Sequence, residues 1–265
     1  MEPRVACQIT DCVAVVTLQR PEKHNALDMA MFKAIISVQR RLAKQRDLRG
    51  VILTGAGVDF CTGIDVKSLL SDPKQAARLL WKWWPGQANM AQRVSTGWRD
   101  LPVPVMAVLQ GKVWGGGLQI ALGADFRFGH HDCTLSVMEG RWGLLPDMGG
   151  NLAMREQMAQ DQALWLAMTA EVIDGKRSHE LGLLTELSDD PLALAHAKMA
   201  QLLERSPDAI AATKKLYRRH GVPKSGRMLA AETFSQWRLI LGKNQRIAVA
   251  KQQGKDRDYD PRKAW

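Results

Sequence analysis

Short β-branched apolar segments alternate with glycine turns and helical segments through the first two-thirds of this 265-residue chain. That alternation restricts the chain to an α/β architecture. Val13 to Leu18 reads as a strand ended by Arg20-Pro21. Asp28 is placed to cap a helix reaching about Lys44, with Phe32, Ile35, Ile36 and Leu42 on one face. Val51 to Thr54 follows as a buried strand closed by Gly55-Ala56-Gly57, and Val66 to Leu70 carries a short helical signal. Val103 to Leu109 is another apolar strand, Gly115-Gly116-Gly117 opens a helix over Leu118 to Leu122, and Thr134 to Val137 predicts a further strand. From Pro191 onward the pattern is entirely helical: Leu192 to Leu203, Asp208 to Arg219, and Met228 to Gln252. A composition shift at Arg205-Ser206-Pro207 marks a boundary before a helical appendage and a basic tail, Lys251 to Lys263.

An apolar fraction of 46% and a charged fraction of 24% are those of an ordinary soluble globular protein. No apolar run reaches membrane-spanning length, and Met1 to Thr10 lacks a signal core, so the expectation is a cytoplasmic protein. Cys7, Cys12, Cys61 and Cys133 form no C-x-x-C pair, and no histidine cluster lies at ligand spacing beside them. His130 and His131 are adjacent and on a strand would face opposite ways, so no metal site is expected. A net charge of +10 suits a polyanionic partner, either nucleic acid or a phosphate-rich cofactor, and equally a solvated basic surface. Lys214, Lys215, Arg218 and Arg219 would share one side of a helix, with Leu216 and Tyr217 turned away. Such a stripe reads as a solvated face, and the absence of an RNP or KH-type motif argues against nucleic acid.

Two glycine loops carry the chemistry. Phe60 to Lys67 follows a buried strand, and Gly111 to Gln119 joins a strand to a helix. Consecutive glycines at such a junction permit close backbone approach and leave unpaired N–H groups where the helix dipole favours negative charge. Two of these loops side by side would aim two N–H groups at one developing oxyanion. Neither is a dinucleotide fingerprint or a Walker loop, and spacing alone leaves tight packing as an equal explanation.

Arg20-Pro21-Glu22-Lys23-His24-Asn25-Ala26-Leu27-Asp28 resembles the R-P-x-x-x-N-A-L segment of the crotonase (enoyl-CoA hydratase/isomerase) superfamily. Phe60 to Lys67 is similar to that family's F-x-x-G-x-D-x-K loop. Ala107 to Asp125 resembles its A-x-x-x-G-x-x-x-G-G-G-x-x-x-A-x-x-x-D block, and Met138 to Gly150 continues it. The resemblance spans roughly residues 13 to 190, in the family's order and spacing. It implies an α/β spiral of strand-strand-helix units over residues 1–200 and an all-helical oligomerisation region over 201–265, packing as a homotrimer or homohexamer. The implied partner is an acyl-CoA thioester substrate, with no separate cofactor and no membrane.

Carried over by position, the resemblance places the backbone N–H groups of Ile64 and Gly116 in an oxyanion hole. Asn25, Ala26, Leu27 and Thr62 would receive the adenine end of coenzyme A, and Lys67 would sit near its phosphates. Glu139 matches the second glutamate of the family's hydratases, but the first position is Gln119, and an amide exchanges no proton at neutral pH. Asp147 matches an aspartate of the dienoyl-CoA isomerase branch. The expected chemistry is therefore a double-bond shift, with Glu139 as base and Asp147 as partner. Hydration by Glu139 with Gln119 positioning water, thioester hydrolysis, and non-catalytic acyl-CoA or RNA binding are the alternatives. By residue type alone Asp147 would cap a helix near Met148, Asp65 would cap the helix after it, and Gln119 would satisfy buried backbone. Trp81, Trp83 and Trp84 fall in the segment that shapes the family's acyl pocket, and Trp81, Trp84, Trp114 and Trp142 are its candidate walls.

Overall fold

Asp11 and Cys12 both adopt left-handed backbone, φ 48° and 65°, and give the two-residue turn of a hairpin the twist that antiparallel strands need. The hairpin joins β1 (Val5–Thr10) to β2 (Val13–Leu18), with Val5 opposite Leu18 and Thr10 opposite Val13. β1 gives no apolar-run signal because it is an edge strand on which only Val5 is buried. The computed structural model describes residues 3–66, 68, 73–220 and 225–257. Lys67 and most of the helical signal from Val66 to Leu70 lie outside them, as does the tail from 258.

α1 (Met29–Leu42) begins where the Asp28 carboxylate accepts the Met31 N–H at 2.7 Å, and it buries Met31, Phe32, Ile35 and Leu42. β3 (Gly50–Gly55) then pairs parallel to β2. α2 (Pro73–Leu80) and α3 (Met90–Arg99) follow, α3 held by a reciprocal capping box between Asn89 and Gln92. β4 (Val105–Leu109) is wholly buried, β5 (Lys112–Trp114) leaves the main sheet, and α4 (Gly116–Ala121) starts at the glycine run. β6 (Phe126–His130) and β7 (Thr134–Ser136) repeat the strand-strand step. A 3-10 turn, Met138–Trp142, leads to α5 (Gly150–Gln157) and α6 (Gln160–Thr169). β8 (Ile173–Asp174), α7 (Gly175–Glu180) and β9 (Glu186–Ser188) complete the spiral. The six-stranded sheet has the order β1-β2-β3-β4-β6-β9, and a smaller sheet runs β5-β7-β8.

The main core fills the space between the sheets and α1, α3 and α4. A second apolar cluster lies on the other side of the large sheet, where Ala195 and Met199 of α8 (Pro191–Leu203) meet Val13, Ile52, Met106 and Phe128. α9 (Pro207–His220) follows. The single helix expected from Met228 to Gln252 is two, α10 (Ser225–Ile240) and α11 (Lys243–Gln252). They break at Gly242, whose extended backbone (φ −88°, ψ 153°) starts a new helix.

Two of the basic residues of α9, Lys214 and Arg218, are not part of a solvated stripe. Lys214 Nζ lies 2.7 Å from Asp125 and donates to the carbonyls of Trp98 and Val103, while Arg218 pairs with Asp125 at 2.9 Å and Glu156 at 3.1 Å. Lys215, Leu216 and Tyr217 are exposed. Among the described residues no helix is long and apolar enough to cross a membrane.

Candidate active site

Three loops meet through backbone hydrogen bonds. Cys61 N–H donates to the Lys112 carbonyl at 3.1 Å and Trp114 N–H to the Cys61 carbonyl at 3.0 Å. Leu27 N–H donates to the Gly63 carbonyl at 2.8 Å and Asp65 N–H to the Leu27 carbonyl at 3.0 Å. Glycine permits this approach: a Cβ on Gly117 would run into the Cys61 carbonyl, and one on Gly63 (φ 89°) would come within 3.1 Å of the Gly116 nitrogen. Ile64 and Gly116 therefore stand on facing loops, and Gly116 is the first residue of α4, where no helix carbonyl lies four residues back. Among the described residues no turn or loop hydrogen bond uses either of these two N–H groups.

Beside them lies a buried acid. Glu139 sits in the 3-10 turn, 8% exposed, with its carboxylate 3.6 Å from where a Gly115 side chain would begin. One oxygen, Oε1, accepts from Gln119 Nε2 at 2.7 Å, and the other, Oε2, is buried without a partner. Gln119 Oε1 accepts from the backbone N–H groups of Met148 (2.8 Å) and Gly150 (3.1 Å), which fixes the orientation of the amide. The expectation that Gln119 satisfies buried backbone holds, and it holds Glu139 as well.

Asp147 is buried in the same wall at 5% exposure. It is not a helix cap: α5 begins at Gly150 behind Gly149, whose φ of 84° turns the chain, so Asp147 stands clear of the helix start. Asp65 does cap, accepting from Ser68 N–H at 3.2 Å, and it also pairs with Arg20 at 2.9 Å. Burial raises the pKa of Glu139, while its own backbone and Gln119 pull it back. Burial also raises Asp147 well above the ordinary carboxylate range, and the charges of Glu139 and Glu232 add to the rise. Both shifts favour the protonated form, and that of Asp147 is the larger.

Glu232, from the C-terminal helix α10, was not foreseen. It is 5% exposed, accepts from Asn151 Nδ2 at 3.0 Å and from Gln92 Nε2 at 3.0 Å, and burial pushes it up to about 7. Asn151 Nδ2 also donates to the carbonyl of Pro146 at 2.5 Å, so Glu232 is tied to the residue before Asp147. Gln236 Oε1 accepts from Leu145 N–H at 3.3 Å, and Ala248 packs against Gly143. The helical region thus walls the site within one chain. The only sequence signal was a lone acid in the small-residue run Leu229-Ala230-Ala231-Glu232-Thr233.

The other expected residues are dispersed. Asn25 is fully buried with its side chain spent internally: Oδ1 accepts from Arg20 N–H at 2.8 Å, and Nδ2 donates to the Ala56 and Asp59 carbonyls at 2.8 Å each. Only backbone and the half-buried Ala26 and Thr62 remain on that loop for a ligand, since Leu27 is buried. Lys67 lies outside the described residues. Trp142 is half-buried in the Glu139 turn, and Trp114 donates to Thr134 Oγ1 at 3.2 Å with Lys112 over its ring. Trp81, Trp83 and Trp84 are exposed by 64%, 85% and 70%, so this run is not packed in the core. Burial pushes the Cys61 thiol up to about 12, which makes it inert.

The α/β fold thus brings facing glycine loops together with a buried carboxylate beside Gly115. The profile of the Enoyl-CoA hydratase/isomerase family matches residues 8–240, and the chain belongs to that family. It is 30% identical over 220 residues, 80% of each protein, to the (E)-benzylidenesuccinyl-CoA hydratase of Thauera aromatica. It is 29% identical over 209 residues to the mitochondrial Delta(3,5)-Delta(2,4)-dienoyl-CoA isomerase of Mus musculus, 75% of this chain and 63% of that protein. A crystal structure of an enoyl-CoA hydratase/isomerase from Mycobacterium paratuberculosis shares the fold, with a TM-score of 0.84 at 23% identity over 95% of this chain and 99% of that one.

Proposed function

We propose that this protein is an enoyl- or dienoyl-CoA isomerase in which Glu139 is the base and Asp147 the acid. The observation that carries the reading is the pair of Glu139 oxygens, one held by Gln119 and one buried with no partner. The bound oxygen sets the carboxylate's direction, and the unpartnered one is available for a substrate proton. Glu139 takes the proton from the carbon beside the thioester carbonyl, and the electron pair moves onto the carbonyl oxygen. The N–H groups of Ile64 and Gly116 receive that negative oxygen. Asp147, held neutral by burial, gives its proton to the far carbon of the conjugated system, and the double bond moves. The adenine end of coenzyme A lies against the Asn25-Ala26-Leu27 loop and Thr62, reading backbone because the Asn25 side chain is already used.

Hydration is the second reading, favoured by the names of relatives such as the Thauera aromatica enzyme. Gln119 weighs against it, because its oxygen already accepts two backbone N–H groups and one amide hydrogen is given to Glu139. That leaves Gln119 no acceptor for a water, which would have to hang on Glu139 Oε2 alone. A homotrimer or homohexamer is part of the proposal, and contacts between copies would cover apolar side chains such as Trp165, Met168, Tyr217 and Phe234, which are 60%, 74%, 74% and 67% exposed.

The test is mass spectrometry of 2-enoyl-, 3-enoyl- and dienoyl-CoA incubated with enzyme in D2O. Deuterium gained with a shifted double bond and no added water is the expected result. Added water would make Glu139 a hydratase base, and free coenzyme A would mean hydrolysis.

A further inference from the structure

More than half of the chain's net positive charge is gathered in one cleft that neither Glu139 nor Asp147 lines. A cavity of about 1200 Å³ opens between α1, α2, α3 and α5, bordered by the turn from Trp81 to Met90. Eight lysine and arginine side chains line it against two acids, a surplus of six, where the whole chain carries +10. Neither Glu139 nor Asp147 reaches it.

The two acids are already answered. Asp100 pairs with Arg93 at 3.2 Å, and Glu156 sits between Arg99 at 2.5 Å and Arg218 at 3.1 Å. Lys33, Arg40 and Arg78 have no ion-pair partner among the described residues. At the base of the cleft two polar atoms one turn apart on α3 are buried without a hydrogen-bond partner: Thr96 Oγ1 and Arg99 Nη1. The Arg99 side chain is only 9% exposed. A buried guanidinium hydrogen with no acceptor is costly, and cations crowded in one concavity repel each other until an anion enters. At the rim Trp81 and Trp83 stand edge to face, centroids 6.1 Å apart, with most of their surface in solvent.

We propose that this cleft is a second binding site, separate from the thioester site, for a nucleotide-type ligand. Its phosphates would meet Arg40, Arg78 and the Arg99 guanidinium, and its planar ring would stack on Trp81 or Trp83. Guanidinium groups match phosphate oxygens in pairs, and exposed indole faces take flat rings without regard to their hydrogen-bonding edges. The volume is somewhat above the roughly 300–1000 Å³ of an ordinary small-molecule site, which leaves room for a nucleotide. The shared chemistry is an ADP group, whether from a free nucleotide or from the handle of a second coenzyme A.

The probe is ADP, titrated calorimetrically into the full-length protein while tryptophan fluorescence is followed. Binding should persist with the thioester site saturated by a non-hydrolysable acyl-CoA analogue, or be displaced only by coenzyme A in excess of one equivalent. The first pattern identifies a free nucleotide as the source, and the second a coenzyme A handle. The double variant Arg40→Glu/Arg78→Glu should weaken ADP at least tenfold and leave turnover within twofold, and Trp81→Ala combined with Trp83→Ala should remove the fluorescence change. ADP binding that disappears at one equivalent of the analogue and ignores the double variant places ADP in the thioester site and overturns the proposal. No ADP binding overturns it too, including the case where a single-stranded RNA binds instead through the same arginines.

Discussion

Gln119 Nε2 donates to Glu139 Oε1 at 2.7 Å while Glu139 Oε2 stays buried and unpaired. The amide steers the acid without sharing its proton. Glu139→Gln keeps an oxygen that can accept from Gln119, so the wall around Met148 and Gly150 should stand. Removing a buried ionisable group should leave the melting temperature equal or higher. Turnover should fall by about 10²- to 10⁴-fold, the usual contribution of a positioned general base. Turnover and thermal melts of the same preparation check this, and a variant retaining more than half the wild-type rate removes Glu139 from the mechanism. The wild-type rate should rise with pH as Glu139 ionises above the ordinary glutamate range, then fall once Asp147 loses its proton.

The glycine loops make a separate, steric prediction. A Cβ at Gly117 would overlap the Cys61 carbonyl, which is backbone and bridged to Val113, so neither side can swing away. Gly117→Ala should destabilise the protein by about 1–3 kcal/mol, as overpacked sites do. It should also part the loops that carry Ile64 and Gly116, lowering kcat/KM by tenfold or more. Urea unfolding with steady-state kinetics measures both, and full activity in a destabilised variant would show that the two N–H groups do not act together.

Such loops are the part of the site most legible in the sequence, because only glycine allows that approach and glycine is visible in a string. The parallel strands were legible for a similar reason: a strand buried on both faces, such as Val105–Leu109, is an unbroken apolar run. Edge strand β1 was not, since five of its six residues escape full burial. Asn25 was read as part of a binding loop, yet its side chain closes that loop from inside. Its motif position is local, whereas its partners Ala56 and Asp59 come from 31 and 34 residues away. Glu232 was missed for the same reason at longer range, 140 residues from Gln92. The inward turn of Lys214 and Arg218 in the α9 stripe was not legible because Asp125 and Glu156, which draw them in, are distant in the chain.

Glu232 links stability to pH. Its pKa in the folded protein is pushed up to about 7, against 4.5 for the free side chain. A carboxyl with a raised folded pKa favours the native state most when protonated in both states, below pH 4.5, and that contribution drains away as pH rises through 7. Above pH 7 the ionised, buried group costs on the order of 3 kcal/mol relative to acid conditions. Glu232→Gln cannot titrate. It loses an acceptor for either Asn151 or Gln92 at every pH, so its deficit against wild type should be largest near pH 5 and shrink or reverse by pH 8. Urea unfolding of both proteins at those two pH values measures the change directly. A deficit that stays constant across the range would mean that Glu232 is ionised throughout, held so by the Asn151 and Gln92 amides and by Lys82. In that case the charge felt by Asp147 would not vary with pH near neutrality.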